Sequence, residues 1–322
     1  MPWMISDVVD EVNQAVAERW LGLDPLLPGS VDLPEGCMAP LVAAGANGRL
    51  AGLGVCRHQY VPADALQQTW GAAARFVLTL RLRGPDTRAA ADELLAQWRE
   101  HLAGLPEAAA PDTAAMVNWP CRDTSGVLAL LGHGLQPIAV IAARPAGRTD
   151  PAGGTDAIPG LVIRAAGPGD LDVVTELEMG VVRYDADFGG SVPRPATEGL
   201  VRAEREAALA SRPGWIWLAE AAGRPVGLAV VEPPDTAAWI AGMTRPGRTA
   251  YLYIMAVRPD ERGGGIGAAL ARHVHQELDA RGIDVTLLHY AQVNPLSAPF
   301  WHRMGYRPLW TSWEARPAAA LR

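Results

Sequence analysis

The sequence has three cysteines in 322 residues, no long apolar run and no excess of basic charge. Each absence removes a class of protein. Cys37, Cys56 and Cys121 all fall in the first half, too few for a disulfide framework and too scattered for a zinc site, so no metal is expected. No stretch approaches the roughly 20 apolar residues that span a bilayer. The opening M-P-W-M-I-S-D-V-V-D-E has no basic n-region and carries acids where a signal peptide is apolar. A cytoplasmic protein without a membrane partner is therefore expected. A net charge of −7, from 28 Lys and Arg against 35 Asp and Glu, denies a nucleic-acid partner its electrostatic footprint. An acidic surface instead suits small cationic ligands such as amines. Aromatic residues are only 6 % of the chain, yet apolar residues reach 49 %, ample for a core, and the length suits two domains.

What is present is a chain that repeats itself. Residues 48–55 (G-R-L-A-G-L-G-V) match residues 223–230 (G-R-P-V-G-L-A-V) at an offset of 175, and at that offset 76–80 falls on 251–255. Residues 134–137 (G-L-Q-P) match 305–308 (G-Y-R-P) at an offset of 171. Shared pattern in shared order indicates a tandem duplication. Between the repeats, R-P-A-G-R-T-D-P-A-G-G-T-D-A-I-P-G (144–160) has no apolar periodicity and is dense in Pro, Gly and Thr, the composition of a surface linker. The expected division is a first domain at 1–145, a linker at 146–160 and a second domain at 161–322.

The second half contains the most specific segment. The β-branched and aromatic run 251–257 ends in a Pro-marked turn, then Arg262-Gly263-Gly264-Gly265-Ile266-Gly267 opens a helix-forming stretch. A strand, a glycine-rich turn and a helix N-terminus in that order make a phosphate cradle. Backbone N–H groups converge where no side chain intervenes, and the helix dipole adds positive charge. A Walker A loop would need Gly-Lys-[Ser/Thr], which the Gly267-Ala268-Ala269 start does not supply. Gly263, Gly265 and Ala268 fill a dinucleotide template with Asp284 at a tolerable distance. Against a Rossmann site, the strand follows others instead of opening its domain, and Arg262 would have no role there.

Arg262, Gly265 and Gly267 spell [QR]-x-x-G-x-[GA], which resembles the acyl-CoA pyrophosphate signature of the GNAT superfamily of N-acetyltransferases. Residues 294–306 resemble that superfamily's second signature through Asn294, Ser297, Phe300, Arg303, Gly305 and Tyr306. The element order agrees as well: a strand at 161–165, a helix at 170–181, an irregular, partly helical segment to 210, and a hairpin of 215–221 and 226–232 turning at 222–224. A strand at 250–257, a helix at 266–281, a strand at 284–291, a helix at 295–304 and a strand at 306–315 follow. The resemblance implies an α/β fold of two tandem GNAT-like domains, each a mixed, mostly antiparallel twisted sheet flanked by helices. Where the second half has its cradle, the first has Thr87-Arg88-Ala89-Ala90-Ala91-Asp92. Alanine Cβ atoms and an acid stand where phosphate would approach. The first domain is then a degenerate repeat that shapes the acceptor site or, more simply, provides a packing face, the latter being the expectation.

The resemblance further implies an acyl-CoA-dependent N-acyltransferase, using acetyl-CoA as donor and a small primary amine as acceptor, by direct attack in a ternary complex. A CoA-sensing or scaffold protein that keeps the fold is the alternative. Met255 and Val257 would pair with the pantetheine arm through main chain. Arg262, Gly263, Gly264, Gly265, Ile266 and Gly267 would hold the pyrophosphate, and Asn294, Ser297 and Trp301 would complete the donor site. Trp301 stands where the family usually has the tyrosine that protonates the leaving thiolate, and an indole N–H cannot release a proton near neutral pH. Tyr253 is the candidate phenol donor, with Glu232 or His289 as water-mediated base. The segment 176–199, with Glu176, Glu178, Tyr184, Asp185, Asp187 and Phe188, is expected to form the acceptor pocket. A monomeric pseudo-dimer or a homodimer would fit.

Overall fold

The computed structural model describes residues 2–29, 33–45, 48–84, 87–148, 158–245 and 247–322. The first half runs α1 (Pro2–Leu23), β1 (Leu41–Ala44), β2 (Leu50–Tyr60), β3 (Ala74–Leu82), α2 (Thr87–Ala103), β4 (Thr113–Pro120), α3 (Thr124–Gly132) and β5 (Gln136–Pro145). The second begins with β6 (Leu161–Ala165), α4 (Leu171–Ala186), α5 (Thr197–Ser211), β7 (Ile216–Ala221) and β8 (Arg224–Glu232). It continues through the short α6 (Ala238–Ala241), β9 (Thr249–Val257), α7 (Ile266–Ala280), β10 (Val285–Ala291), α8 (Ser297–Arg303) and β11 (Arg307–Ala315). Most of the expected linker lies outside the described residues.

Local chemistry accounts for these elements. α7 buries Ile266, Leu270, Ala271, Val274 and Leu278, and α2 buries Ala90, Ala91, Leu94, Leu95, Trp98 and Leu102. Both sets are stripes at helical spacing. α5 has the same stripe in Val201, Ala208 and Leu209 and is the helical part of the segment read as irregular and partly helical, with residues 187–196 non-helical before it. The β7–β8 hairpin turns on two residues rather than three. Ala222 (φ 48°) and Gly223 (φ 75°) are both left-handed, which is what a tight hairpin matching strand twist requires.

The described strands form one sheet in the order β1-β2-β3-β4-β11-β5-β10-β9-β8-β7-β6. Only β3–β4 and β9–β10 pair in parallel. The two halves exchange their last strands. β5 of the first half pairs with β10 of the second, from Val285 opposite Pro145 to Ala291 opposite Ala139. β11 of the second half pairs with β4, from Trp310 opposite Pro120 to Ala315 opposite Ala115. The exchanged strands also pair with each other, which makes the sheet continuous. Trp313 and Ala315 consequently belong to the first-half core, while Val140 and Ala142 belong to the second.

A separate apolar cluster seals the junction. Val12, Val16 and Trp20 of α1 pack with Ile141, Ala143, Leu287, Leu309 and Trp310. The Trp20 and Trp310 rings meet edge to face at 5.1 Å, and Trp310 Nε1 donates to the Met243 carbonyl at 2.6 Å. Among the described residues no helix is long and apolar enough to cross a membrane.

Candidate active site

β9 and β10 pair only over Thr249–Tyr251 and Val285–Leu287, and then diverge. On the other side of β9, Val230 pairs with Ile254 and Val231 with Leu252, so Tyr253 is the extra residue of a bulge. The bulge bends β9 away from β10 and opens a cleft between two strands of one sheet. Beyond Tyr251 the main chain of Met255 and Val257 has no strand partner on that side among the described residues. The Val257 carbonyl accepts a bond from Arg262 Nε at 3.2 Å.

The glycine-rich turn closes one end of the cleft. Gly263 and Gly265 adopt φ of 86° and 83°, and Gly265 caps α7. The first N–H groups of α7 lack intrahelical partners and, with the helix dipole, form an anion-binding end. A Cβ at Gly265 would meet only Ile158 at 3.5 Å, so the left-handed backbone is what demands glycine there. Gly267 packs where a Cβ would touch Phe300 at 3.4 Å. Ile266 is buried beneath the turn, and the Arg262 guanidinium lies 4.9 Å from the centre of the Tyr184 ring.

Across the cleft, Asn294 is buried. Its Oδ1 accepts from the N–H groups of Leu296 and Ser297, starting α8, and its Nδ2 donates to Asp185 at 3.1 Å. Burial raises the Asp185 carboxyl above its ordinary value, opposed by the Asn294 bond. Trp301 sits in the core, its ring 4.8 Å from Phe300 and 5.2 Å from Tyr306.

The sequence candidates for chemistry converge. Tyr253, Glu232 and His289 all line a cavity of about 1480 Å³ that also takes in Met255, Arg262, Gly265, Gly267, Asn294 and Ser297. Glu232 Oε2 accepts from Trp239 Nε1 at 2.9 Å, and burial raises its carboxyl above the usual range despite that bond. His289 Nδ1 is 2.9 Å from the Tyr251 hydroxyl, and burial pushes its imidazole down to about 4. Burial raises the Tyr251 phenol well above its ordinary value, so it stays protonated while it shares this hydrogen bond with His289 Nδ1.

Tyr253 has a partner the sequence did not suggest. Trp70 Nε1, from the first half, donates to its hydroxyl oxygen at 2.7 Å. An indole can only donate, so the phenolic proton of Tyr253 is left pointing elsewhere. The Arg205 guanidinium stands 5.0 Å from the Tyr253 ring centre and pairs with the fully buried Glu178 at 3.3 Å. Burial raises both the Tyr253 phenol and the Glu178 carboxyl, the latter to about 7.

Two expectations change. The first half does more than pack. Arg57, Gln59, Arg75 and Asn118 line the cavity, and the exchanged β11 adds Ser312 and Glu314. These residues form the polar face of a sheet whose other face holds Cys56, Phe76, Leu78, Ala115 and Val117 in the core. Of the expected acceptor segment, Tyr184 and Asp185 line the cavity. Glu176 is instead tied to Arg258 at 2.7 Å, Glu178 is consumed by Arg205, and Asp187 is exposed and outside the lining.

The corresponding place in the first half is clasped shut. Thr87, at the start of α2, bonds to Ser125 Oγ at 2.7 Å, and Ser125 donates to Asp123 at 2.8 Å. Arg19 of α1 grips Asp123 through two bonds. The Trp119 ring lies so close to α3 that a Cβ on Gly126 would fall 2.1 Å from it. No residue of α2 lines the cavity.

Residues 184–306 match the model of the Acetyltransferase (GNAT) family. A GCN5-related N-acetyltransferase from Sphaerobacter thermophilus has a similar structure, with a TM-score of 0.58 at 16 % identity, covering 97 % of this chain and 92 % of that one. One from Kribbella flavida scores 0.46 at 16 % identity, covering 96 % and 98 %. A tandem GNAT protein from the clavulanic acid biosynthesis pathway scores 0.44 at 17 %, covering 94 % and 95 %. No curated protein matches the sequence. The family match covers a segment of the second half, and the fold as a whole is one shared with a GCN5-related N-acetyltransferase.

Proposed function

We propose that the protein transfers an acyl group from acyl-CoA, most simply acetyl-CoA, to a primary amine of a small polar molecule. The donor carries its acyl group as an activated thioester. The residues present fit such a donor. Gly263 and Gly265 hold left-handed turns before the α7 N-terminus, and beyond Tyr251 β9 has no strand partner on its β10 side among the described residues. Met255 and Val257 would align the pantetheine arm through main chain, with Asn294, Ser297 and the edge of Trp301 completing the wall. Backbone N–H groups at the Tyr253 bulge would polarise the thioester carbonyl as oxyanion donors.

Glu232, held by Trp239 and raised by its burial, is the proposed base, taking the amine proton directly or through water. His289 is less suited. Burial holds its imidazole neutral and keeps its affinity for a second proton low. Tyr253 is the proposed acid toward the departing thiolate, in the role Trp301 cannot fill. The observation that carries this reading is the Trp70–Tyr253 bond, which leaves the phenolic proton free to be given away.

The polar face of the first half is the proposed acceptor wall. Arg57 Nε is buried there without a hydrogen-bond partner among the described residues, which suits an anionic or carbonyl group of the acceptor. Arg57→Met is expected to raise the acceptor KM by about tenfold or more, the scale of one hydrogen bond to a charged group, and to leave acetyl-CoA affinity unchanged. Steady-state kinetics with calorimetry separates the two. The activity is tested with a broad amine panel read by free-thiol release. Acceptor-dependent release supports the transferase. Tight CoA binding with only background hydrolysis is the signature of a sensor and contradicts it.

A further inference from the structure

The sequence separates Cys37 from every histidine by at least twenty positions, but the fold gathers three donors from three elements. Cys37 lies on the segment before β1, His58 on β2 and His101 in the last turn of α2. The Cys37 sulfur and one nitrogen of each histidine lie within 4.8 Å of one another. We propose that Cys37, His58 and His101 form a binding site for a zinc-class transition-metal ion on the face of the first half turned away from the cavity.

The geometry fits such an ion. The two Nε2 atoms are 3.2 Å apart. Two nitrogens bound to one tetrahedral zinc at about 2.0–2.1 Å stand about 3.3 Å apart, and a zinc-bound sulfur sits slightly farther from each. Only Cys37, which is exposed, must close in. One thiolate and two imidazoles are a donor set for zinc and its softer neighbours, and they leave a fourth position for water.

The supporting structure holds the donors in place. The Cys37 N–H donates to the Cys56 carbonyl at 2.9 Å, fastening the segment to β2 two positions from His58. The His58 ring sits edge-on against buried Phe76 at 4.8 Å. Cys56 is not the thiol of this group, because it is buried in the first-half core while Cys37 is exposed. Arg57 and Gln59 line the cavity while His58 does not, as strand alternation requires, so a metal here would staple α2 to β2 and take no part in transfer.

The test uses the full chain, stripped by a chelator under reductant and titrated with Zn2+ against a chromophoric chelator, then with Co2+. One metal per chain is expected, with a thiolate-to-cobalt charge-transfer band and a rise in melting temperature on Zn2+ addition. Cys37→Ser should abolish the band. Cys37→Ser and His101→Gln should each weaken Zn2+ by at least about a hundredfold, more than loss of an outer-shell partner usually costs. Cys121→Ser, whose thiol sits beside Thr311 at 3.2 Å, should change neither. Circular dichroism verifies that each variant is folded. No Zn2+ bound in competition, or binding that survives both Cys37→Ser and His101→Gln, overturns the site and leaves His58 and His101 a simple hydrogen-bonded pair.

Discussion

At the residue scale the account rests on how burial and single hydrogen bonds set proton affinities. Burial raises the Glu232 carboxyl, so the acid limb of the kcat/KM profile should lie above the ordinary carboxylate range. Glu232→Gln should remove that limb, and Tyr253→Phe should lower kcat by about a hundredfold or more with little change in acetyl-CoA affinity. An unaltered acid limb in Glu232→Gln would exclude Glu232 as base. His289 makes a separate prediction about stability. Its folded-state value of about 4 lies below the ordinary 6.5, so the unfolded chain binds more protons between them. The stability contributed by neutral His289 is present above pH 6.5 and is lost as pH falls toward 4. Denaturant midpoints measured across that window should decline, and less steeply in His289→Asn.

At the element scale, the β9 bulge and the glycine turn open a cleft in the second half, and side chains close its counterpart in the first. Gly126→Ala tests that closure. A Cβ 2.1 Å from the Trp119 ring cannot be accommodated without displacing an indole whose N–H is bonded to the Asp123 carbonyl. Overpacking of this kind costs typically about 1–3 kcal/mol, so a lower denaturation midpoint is expected, while acetyl-CoA affinity should hold.

The same elements show what the sequence could disclose. The cradle was legible because its signal is local: consecutive glycines between a strand and a helix. Helix α7 was legible from the helix-forming stretch that follows the glycines, and the loss of the cradle from alanines at the aligned positions. Trp70 was not, since it meets Tyr253 across 183 positions and only the packing of the halves joins them. Arg57 reads as one more surface cation until β2 is known to face a cavity. The strand exchange was hidden for a similar reason. β5 and β11 are apolar strands ending equivalent repeats, and nothing in their local pattern selects one sheet edge over the other. Cysteine spacing considered alone could not reach His58 and His101.

At the scale of the whole molecule, the duplication has been divided into two roles. The second half has the open cleft, and the first lends it Trp70, Arg57, Gln59, Arg75 and Asn118. Strand exchange and the α1 cluster hold that arrangement together. The account therefore requires a single donor site per chain, although the fold is repeated. Calorimetric titration of the full chain with acetyl-CoA is the most direct test, made with Gly267→Asp and with Ala89→Glu. Ala89 is exposed on α2, whereas Ala90, the counterpart of Gly265, is buried and would confound fold with binding. One site per chain is expected. Gly267→Asp should weaken it by at least about a hundredfold, from lost charge-assisted bonds and like-charge repulsion, and Ala89→Glu should leave it unchanged. Two equal sites, no binding, or equal losses in both variants would contradict the assignment.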